Sequence, residues 1–198
     1  MTITAKLDSM RTLLVAPDPE WLEERRRCGI DRRDEVWDGV LHVPPEPSPH
    51  HQRIEGRLAR WLSPLAEARN LECLTGIAIL DPANHDKNYR VPDIIVIDPR
   101  QILRRGTEGP VIVAIEVLSP HDESREKFAF YAARGVKEVW IVDPDTRDFE
   151  VYTLRSGVYF AILPDETGRV RAPALDLTLS LGAGPVLHVA WAGGSAEI

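Results

Sequence analysis

Two runs of apolar residues in the middle of the chain have the pattern of buried β-strands. They span residues 90–97 and 111–118, are rich in Val and Ile, and are bounded by Pro, Asp and Gly. Each run contains one acidic residue, Asp93 in the first and Glu116 in the second. An ionised carboxylate in such a strand is unfavourable unless a metal, a cation or hydrogen-bond donors stabilise it. The two acids are therefore candidates for a functional site.

The spacing of the two acids allows them to lie side by side. If the two strands pair antiparallel through the polar segment 98–110, a pairing of residue 93 with residue 116 centres the connection on Arg104 and Arg105. Directly opposed residues in such a pair have side-chain roots about 5 Å apart. Two carboxylates at that distance suit one shared divalent cation, which prefers hard oxygen ligands.

The rest of the pattern predicts a mixture of helices and strands. Helices are predicted from apolar positions at helical spacing and from capping residues, and strands from alternating or continuous apolar runs. In chain order these elements are a helix over 19–28, a hairpin over 35–43, a helix over 50–68, a strand over 71–80, the two central strands, a helix over 122–134, and strands over 139–142, 149–154 and 158–163. This order favours the α/β (α+β) class, with a mixed central β-sheet flanked by α-helices.

The chain shows no internal repeat and no convincing linker. We expect residues 1–15 to form a flexible leader, residues 16–192 a single domain, and residues 193–198 a frayed tail. A domain of this size can bury a substantial core.

Composition and charge exclude few classes of protein. The 198 residues are 43% hydrophobic and 28% charged, as in ordinary globular proteins. The net charge of −7 argues mildly against a dedicated nucleic-acid binder, without excluding one. No apolar run approaches the roughly 20 residues that span a bilayer, so we expect no membrane partner and a cytoplasmic location. The isolated Cys28 and Cys73 are expected to be reduced.

Lys127 extends the acid pair into a candidate catalytic group. It lies on the helix that follows the Glu116 strand, from where its ammonium group can reach back over the strand end. A cation beside a metal-bound water orients that water or stabilises charge that develops on a phosphoryl group. Tyr131 follows one turn later, where packing with a solvated hydroxyl is the commoner role. Taken alone, a lysine at this position is more typical of a solvated residue on an exposed helix face.

Each candidate acid also has a simpler interpretation. Asp93 fits a capping residue at a strand start, Glu116 a strand-end acid paired with an arginine, and Glu35 a surface acid at the start of the hairpin. His50 and His51 resemble a pair of metal ligands, although adjacent histidines at a helix start more often serve as caps. Two acids in matching register with a downstream lysine are harder to explain in this way.

Several common catalytic motifs are absent from the sequence. It contains no GxSxG, no P-loop, no GxGxxG after a strand and no HExxH. Their absence argues against the commonest classes of hydrolase, nucleotide-binding protein and zinc protease. The remaining hypothesis is a site in which carboxylates bind magnesium. A glycosidase is a weak alternative, because its acid pair normally lies in an open cleft lined by aromatic residues.

A series of short motifs follows the chain in a fixed order. They are Glu35–Gly39, His51–Ile54, Val91–Val96, Ile115–Pro120, Glu126–Phe128 with Tyr131, and Gly135–Pro144. In this order they resemble the Uma-type family of restriction endonucleases, which belongs to the PD-(D/E)XK nuclease superfamily. The similarity extends from about residue 30 to about residue 182.

The resemblance implies a restriction-endonuclease-like core sheet with flanking helices and a metal site at one end of the central strand pair. It assigns Asp93, Glu116 and the carbonyl of Val117 to the metal, and it places Glu35 near the same site.

One position departs from the superfamily pattern. A lysine is expected two residues after the Glu, where this chain has Leu118. Members of the family commonly carry the lysine on the next helix instead, which matches Lys127.

The leading hypothesis is an endonuclease that hydrolyses phosphodiester bonds with magnesium, or with manganese as a substitute. Its catalytic residues would be Asp93, Glu116, Lys127 and Glu35. The expected partner is nucleic acid, by resemblance DNA, and a homodimer could cut both strands. The alternative is a catalytically inactive nuclease-fold module for binding or regulation, which the acidic charge and Leu118 favour.

Overall fold

The computed structural model describes residues 12–120 and 122–198. In chain order the strands are β1 (Thr12–Leu14), β2 (Glu35–Trp37), β3 (Val40–Val43), β4 (Glu72–Thr75), β5 (Ile79–Leu80), β6 (Tyr89–Arg90), β7 (Ile94–Ile97), β8 (Ile102–Leu103), β9 (Gly106–Thr107), β10 (Val113–Val117), β11 (Glu138–Val142), β12 (Phe149–Arg155), β13 (Val158–Ala161), β14 (Val170–Ala172), β15 (Leu177–Leu181), β16 (Leu187–Trp191) and β17 (Gly194–Glu197). The α-helices are α1 (Pro19–Cys28), α2 (Pro49–Glu67) and α3 (Phe128–Ala133), with 3₁₀ turns at Pro99–Gln101 and Ser124–Lys127.

A six-stranded sheet with the order β13-β12-β11-β10-β7-β4 holds the two predicted central strands as neighbours. Strands β7 and β10 are antiparallel, and β10 and β11 are parallel. Ile115 pairs with Ile94, so one further step of the register sets Glu116 opposite Asp93. The pairing predicted from the sequence is therefore confirmed.

Helix α2 covers one face of this sheet. Ser48 caps its start by accepting a hydrogen bond from the His51 N–H, and Pro49 occupies the first position. Its apolar positions repeat at helical spacing and are buried against the same face of β7, β10 and β11, together with residues of the four-stranded sheet β14-β15-β16-β17. The helix residues that make this contact are Ile54, Leu58, Leu62, Leu65 and Ala66.

Helix α3 covers the opposite face. Because side chains alternate along a strand, Ile95 and Ile97 point away from α2 and pack with Ala114 and Tyr131 in a second core. The central strands are therefore buried on both faces, which explains why they are apolar throughout. A mixed central sheet flanked by α-helices is the architecture that the sequence predicts.

The structure differs from the predicted elements in three places. The predicted strand 71–80 is broken by Gly76, which has φ +62°, so β4 joins the central sheet and β5 a separate seven-stranded one. The predicted helix 122–134 begins with the 3₁₀ turn and becomes α-helical at Phe128. The tail from residue 168 onward, where short strands or turns are expected, forms a four-stranded sheet of its own.

Both ends of the described chain are paired, in contrast to the expected leader and tail. Thr12–Leu14 form β1, which pairs with β3, and residues 1–11 of the expected leader lie outside the described residues. In the expected tail, β17 pairs with β16, and Ile198 exchanges backbone hydrogen bonds with Leu187. Ile198 is anchored because its side chain is buried in the core. Among the described helices, none is long and apolar enough to cross a membrane.

Candidate functional site

A pocket of about 160 Å³ opens at the end of the β7–β10 pair. It is large enough for several water molecules. All of the site residues predicted from the sequence line this pocket: Glu35, Asp93, Glu116, Val117 and Lys127. The structure therefore brings together residues that are up to 92 positions apart in the chain (127 − 35).

Lys127 connects two of the predicted acids. Its Nζ lies 3.0 Å from both carboxylate oxygens of Glu116 and 2.8 Å from Oε1 of Glu35. The hydroxyl of Tyr131 donates a further hydrogen bond to Glu116 Oε1. We refer to Glu35, Glu116, Lys127 and Tyr131 as the Glu116 group, and all four are buried.

Glu35 is held in place by the hairpin that carries it and by the segment before Asp93. The indole N–H of Trp37 donates to Glu35 Oε2 at 2.7 Å, and the backbone N–H of Val91 donates to Oε1 at 2.9 Å. With Lys127, Glu35 therefore has three donors. It is a buried acid of the site rather than the surface acid of the simpler interpretation.

The charged side chains of the Glu116 group shift one another's pKa values. Burial works to raise the pKa of Glu35, but the charge of Lys127 and the hydrogen bonds outweigh burial and lower it. For Glu116, burial prevails over the charge of Lys127, and the nearby carboxylates add to it, so the pKa rises to about 8. One lysine does not balance the negative charge at Glu116.

Asp93 belongs to a second set of charged residues. Its Oδ2 accepts a hydrogen bond from the Val117 N–H at 2.8 Å and lies 3.3 Å from Nε2 of His51. Arg33 bridges two acids, with Nη1 3.1 Å from Asp93 Oδ1 and Nη2 2.7 Å from Glu55 Oε2. We refer to Asp93, His51, Glu55 and Arg33 as the Asp93 group.

His51 and Asp93 stabilise each other's charged forms. Burial acts to raise the pKa of Asp93, but the hydrogen bond and charge of His51, together with the Val117 N–H, lower it. Burial acts to lower the pKa of His51, and the contact with Asp93 raises it. Asp93 is therefore ionised in the pocket.

The residues of the pocket fit a divalent cation. One ligand atom each from His51, Glu55 and Asp93 lies within 4.8 Å of the other two. His51 Nδ1 is buried and has no hydrogen-bond partner among the described residues. More acidic than basic residues line the pocket, and after burial the neighbouring carboxylates of Asp93 and Glu35 contribute to the raised pKa of Glu116. Carboxylate oxygens with one imidazole nitrogen are a donor set that divalent metals accept.

Sequence reasoning missed part of this arrangement. Arg33 and Glu55 were not predicted, and His51 was considered more typical of a cap. The spacing of His51 and Glu55 by one helical turn on the inner face of α2 could have indicated the pair. The hydroxyl of Tyr131 was expected to be solvated, whereas it is buried and bonded to Glu116, because α3 packs directly on the sheet.

Comparisons with known proteins agree with this architecture. Residues 22–183 match the Uma2 family, which is described as "Putative restriction endonuclease". The crystal structure of a "putative nuclease" from Anabaena variabilis ATCC 29413 superposes with a TM-score of 0.58 at 19% sequence identity, covering 72% of this chain and 83% of that one. At this identity the likeness shows the fold alone, which is restriction-endonuclease-like as predicted. No curated protein matches the chain.

Proposed function

Since the chain belongs to the Uma2 family of restriction-endonuclease-like proteins, we propose that it is a metal-dependent endonuclease that hydrolyses phosphodiester bonds in DNA. The observation that carries the proposal is the convergence of Asp93, Glu116 and Lys127 in one pocket that is lined by more acidic than basic residues. Magnesium is the proposed metal because the donors are mainly carboxylate oxygens, and manganese, which also accepts imidazole, is the substitute.

Asp93, Glu116 and the carbonyl of Val117 are the proposed metal ligands, and His51 is an additional candidate. A divalent cation bound there polarises a phosphoryl oxygen and lowers the pKa of a bound water. The Val117 N–H fixes the Asp93 carboxylate by donating to Oδ2, while Tyr131 and Lys127 fix that of Glu116. These contacts orient both acids before a substrate arrives.

Lys127 has two proposed tasks. Held between Glu35 and Glu116, its ammonium group keeps both buried carboxylates in place. It also presents positive charge to a phosphate group that enters the pocket, where charge develops during hydrolysis. Because Lys127 comes from the turn before α3, it takes over the task of the lysine that the superfamily pattern expects at Leu118.

A second candidate is a nuclease-fold binding module without hydrolysis. One observation favours it: the three closest contacts of the Lys127 ammonium group are all carboxylate oxygens, so its charge is already neutralised. Both candidates assume the same fold and the same acidic residues. They differ only in whether the protein hydrolyses the phosphodiester bond.

A plasmid-nicking assay tests the proposal. Wild-type protein should nick supercoiled DNA with Mg²⁺ or Mn²⁺ and not with EDTA. Glu116→Gln and Asp93→Asn should each lower the rate by roughly 100-fold or more, because they remove a proposed ligand. Glu72→Gln, at an exposed position on β4, is the matched control and should behave as wild type. Equal nicking by wild type and Glu116→Gln would identify a contaminant, and no nicking by either would favour the binding module.

A homodimer and a cytoplasmic location are part of the same proposal. One metal site cuts one strand, so a two-fold pair of chains could cut both. Light scattering that gives the mass of one chain, 22.2 kDa, would remove the dimer from the proposal. The proposed location rests on the isolated positions of Cys28 and Cys73 in the sequence, which are typical of reduced thiols.

A further inference from the structure

The outer face of α2 carries a row of arginines. Arg53, Arg57 and Arg60 are spaced by four and three residues, which puts them on one side of the helix, and all three are exposed. Ile54 and Leu58, on the opposite side, are buried in the core. Among the residues that the structure describes, none of these three arginines forms a hydrogen bond or an ion pair. The row is thus a concentration of uncompensated positive charge on a chain whose net charge is −7.

A fourth arginine reaches this row from the turn between β11 and β12. Nε and Nη1 of Arg147 are buried and have no hydrogen-bond acceptor within the described part of the chain. Burial and the charges of Arg57 and Arg53 lower the pKa of Arg147, although Asp145 and Asp143 oppose the shift. A partly buried guanidinium beside like charges is unfavourable unless an anion joins them. A simple solvated row of arginines does not account for this arrangement.

The start of α2 and the turn that carries Arg147 lie at the same edge of the sheet as the pocket. Strands β10 and β11 are parallel, with Val117 opposite Val142, so the turn that carries Arg147 follows β11 where β10 reaches the pocket. His50 fastens this turn to the start of α2, with Nδ1 2.7 Å from Asp145 Oδ1. The next residue, His51, lines the pocket.

We infer that Arg53, Arg57, Arg60 and Arg147 form a phosphate-binding surface that holds the backbone of a nucleic-acid substrate beside the pocket. The inference rests on the proposed function and adds contacts to the substrate backbone outside the pocket. From Arg53 to Arg60 the helix rises about 10 Å. That length corresponds to about three phosphates of one duplex strand, spaced 3.4 Å along the axis. The contacts are to phosphates, so the surface would not read sequence.

A binding experiment on matched variants tests this surface. A fluorescent DNA duplex is titrated in EDTA, at several salt concentrations, with wild type, with Arg57→Gln/Arg147→Gln, and with Lys137→Gln/Arg155→Gln. Lys137 and Arg155 are exposed residues at the opposite edge of the sheet, so the control pair changes the net charge equally. The arginine pair should weaken binding by roughly 10-fold or more and reduce the slope of log K against log salt by about two. The control pair should stay within about 2-fold of wild type.

A second variant covers the case in which Arg147 is needed for folding. Arg53→Gln/Arg57→Gln/Arg60→Gln changes only exposed side chains and should reduce the salt slope by about three. Equal weakening by the arginine variants and the control pair would overturn the inference, because it would reflect net charge alone. Binding by the arginine variants that equals wild type would overturn it as well.

The nicking assay, applied to the same wild-type and variant proteins, distinguishes a failure of the arginine surface from a failure of the proposed hydrolysis. If wild type binds DNA through the arginines but does not nick it with Mg²⁺ or Mn²⁺, hydrolysis is refuted and the surface stands. If wild type nicks DNA and the arginine variants bind and nick equally well, the surface is refuted and hydrolysis stands.

Discussion

The Glu116 group and the Asp93 group lie at the same end of one strand pair, yet their charges are compensated differently. In the Glu116 group every polar side chain is buried and bonded to another member. In the Asp93 group, Arg33 is 37% exposed and Nδ1 of His51 has no hydrogen-bond partner among the described residues. We call the Glu116 group closed, because its polar side chains bond to one another, and the Asp93 group open, because one imidazole nitrogen of His51 has no partner among the described residues.

This difference assigns the two groups different tasks. A closed, buried ion pair is strongly destabilised when one partner is removed, so the Glu116 group acts mainly as a rigid support. A half-open cluster can change its contacts at lower cost, so we propose that a cation enters at the Asp93 group. Burial and the neighbouring carboxylates raise the pKa of Glu116, so a second positive charge would stabilise its carboxylate, and we propose that Glu116 is the member of the closed group that also contacts the cation.

The largest expected effect is the loss of the shared cation. Lys127→Met leaves Glu35 and Glu116 buried without their ammonium partner, and it should lower the free energy of unfolding by about 3–5 kcal/mol. Urea denaturation measures the change. Lys137→Met, at an exposed position, should change it by less than about 0.5 kcal/mol. A loss of similar size in both variants would show that the Glu116 group is not a closed support.

A smaller effect is expected from the hydroxyl of the same group. Tyr131→Phe removes one donor from a buried carboxylate and should lower the free energy of unfolding by about 1–3 kcal/mol. The matched control is Tyr152→Phe, whose hydroxyl donates to the exposed Glu150 and should contribute less than about 1 kcal/mol. If the two phenylalanine variants unfold at the same urea concentration, Tyr131 is only a packing residue.

The smallest effect is expected in the open group. Arg33→Gln removes two ion pairs of a partly exposed guanidinium, and Asp93 keeps its contacts with His51 and the Val117 N–H. The free energy of unfolding should fall by no more than about 1 kcal/mol without metal. Because the variant leaves more negative charge in the pocket, added Mg²⁺ should raise its melting temperature more than that of wild type. An equal or smaller rise would contradict the idea of an open cation site.

The sequence predicted the central strand pair and its acids well because the physical signals there are local. Three signals can be recognised without any knowledge of the fold. They are the apolar runs, the Pro and Asp residues that bound them, and the single acidic residue inside each run. The register followed from the length of the connecting segment, and β7 and β10 pair accordingly. The proposed place of Lys127 came from its position on the following helix and from the resemblance.

The Asp93 group was harder to predict because it depends on long-range contacts. Arg33 lies 60 positions from Asp93, in a turn whose pattern shows only a charged surface segment. Glu55 looks like an ordinary polar residue of α2 until the sheet is placed against that helix. The separate seven-stranded and four-stranded sheets were missed for a similar reason, since their short strands are defined by their neighbours.

We propose that the pocket binds a divalent cation through Asp93 and Glu116. Isothermal titration calorimetry with Mn²⁺ and Mg²⁺ on wild type, Asp93→Asn, Glu116→Gln and the Glu72→Gln control measures this binding. We predict one ion per chain for wild type and the control, and affinity lowered by at least about 100-fold in both pocket variants. Unchanged metal binding by Asp93→Asn and Glu116→Gln, or no binding by wild type, would contradict the account.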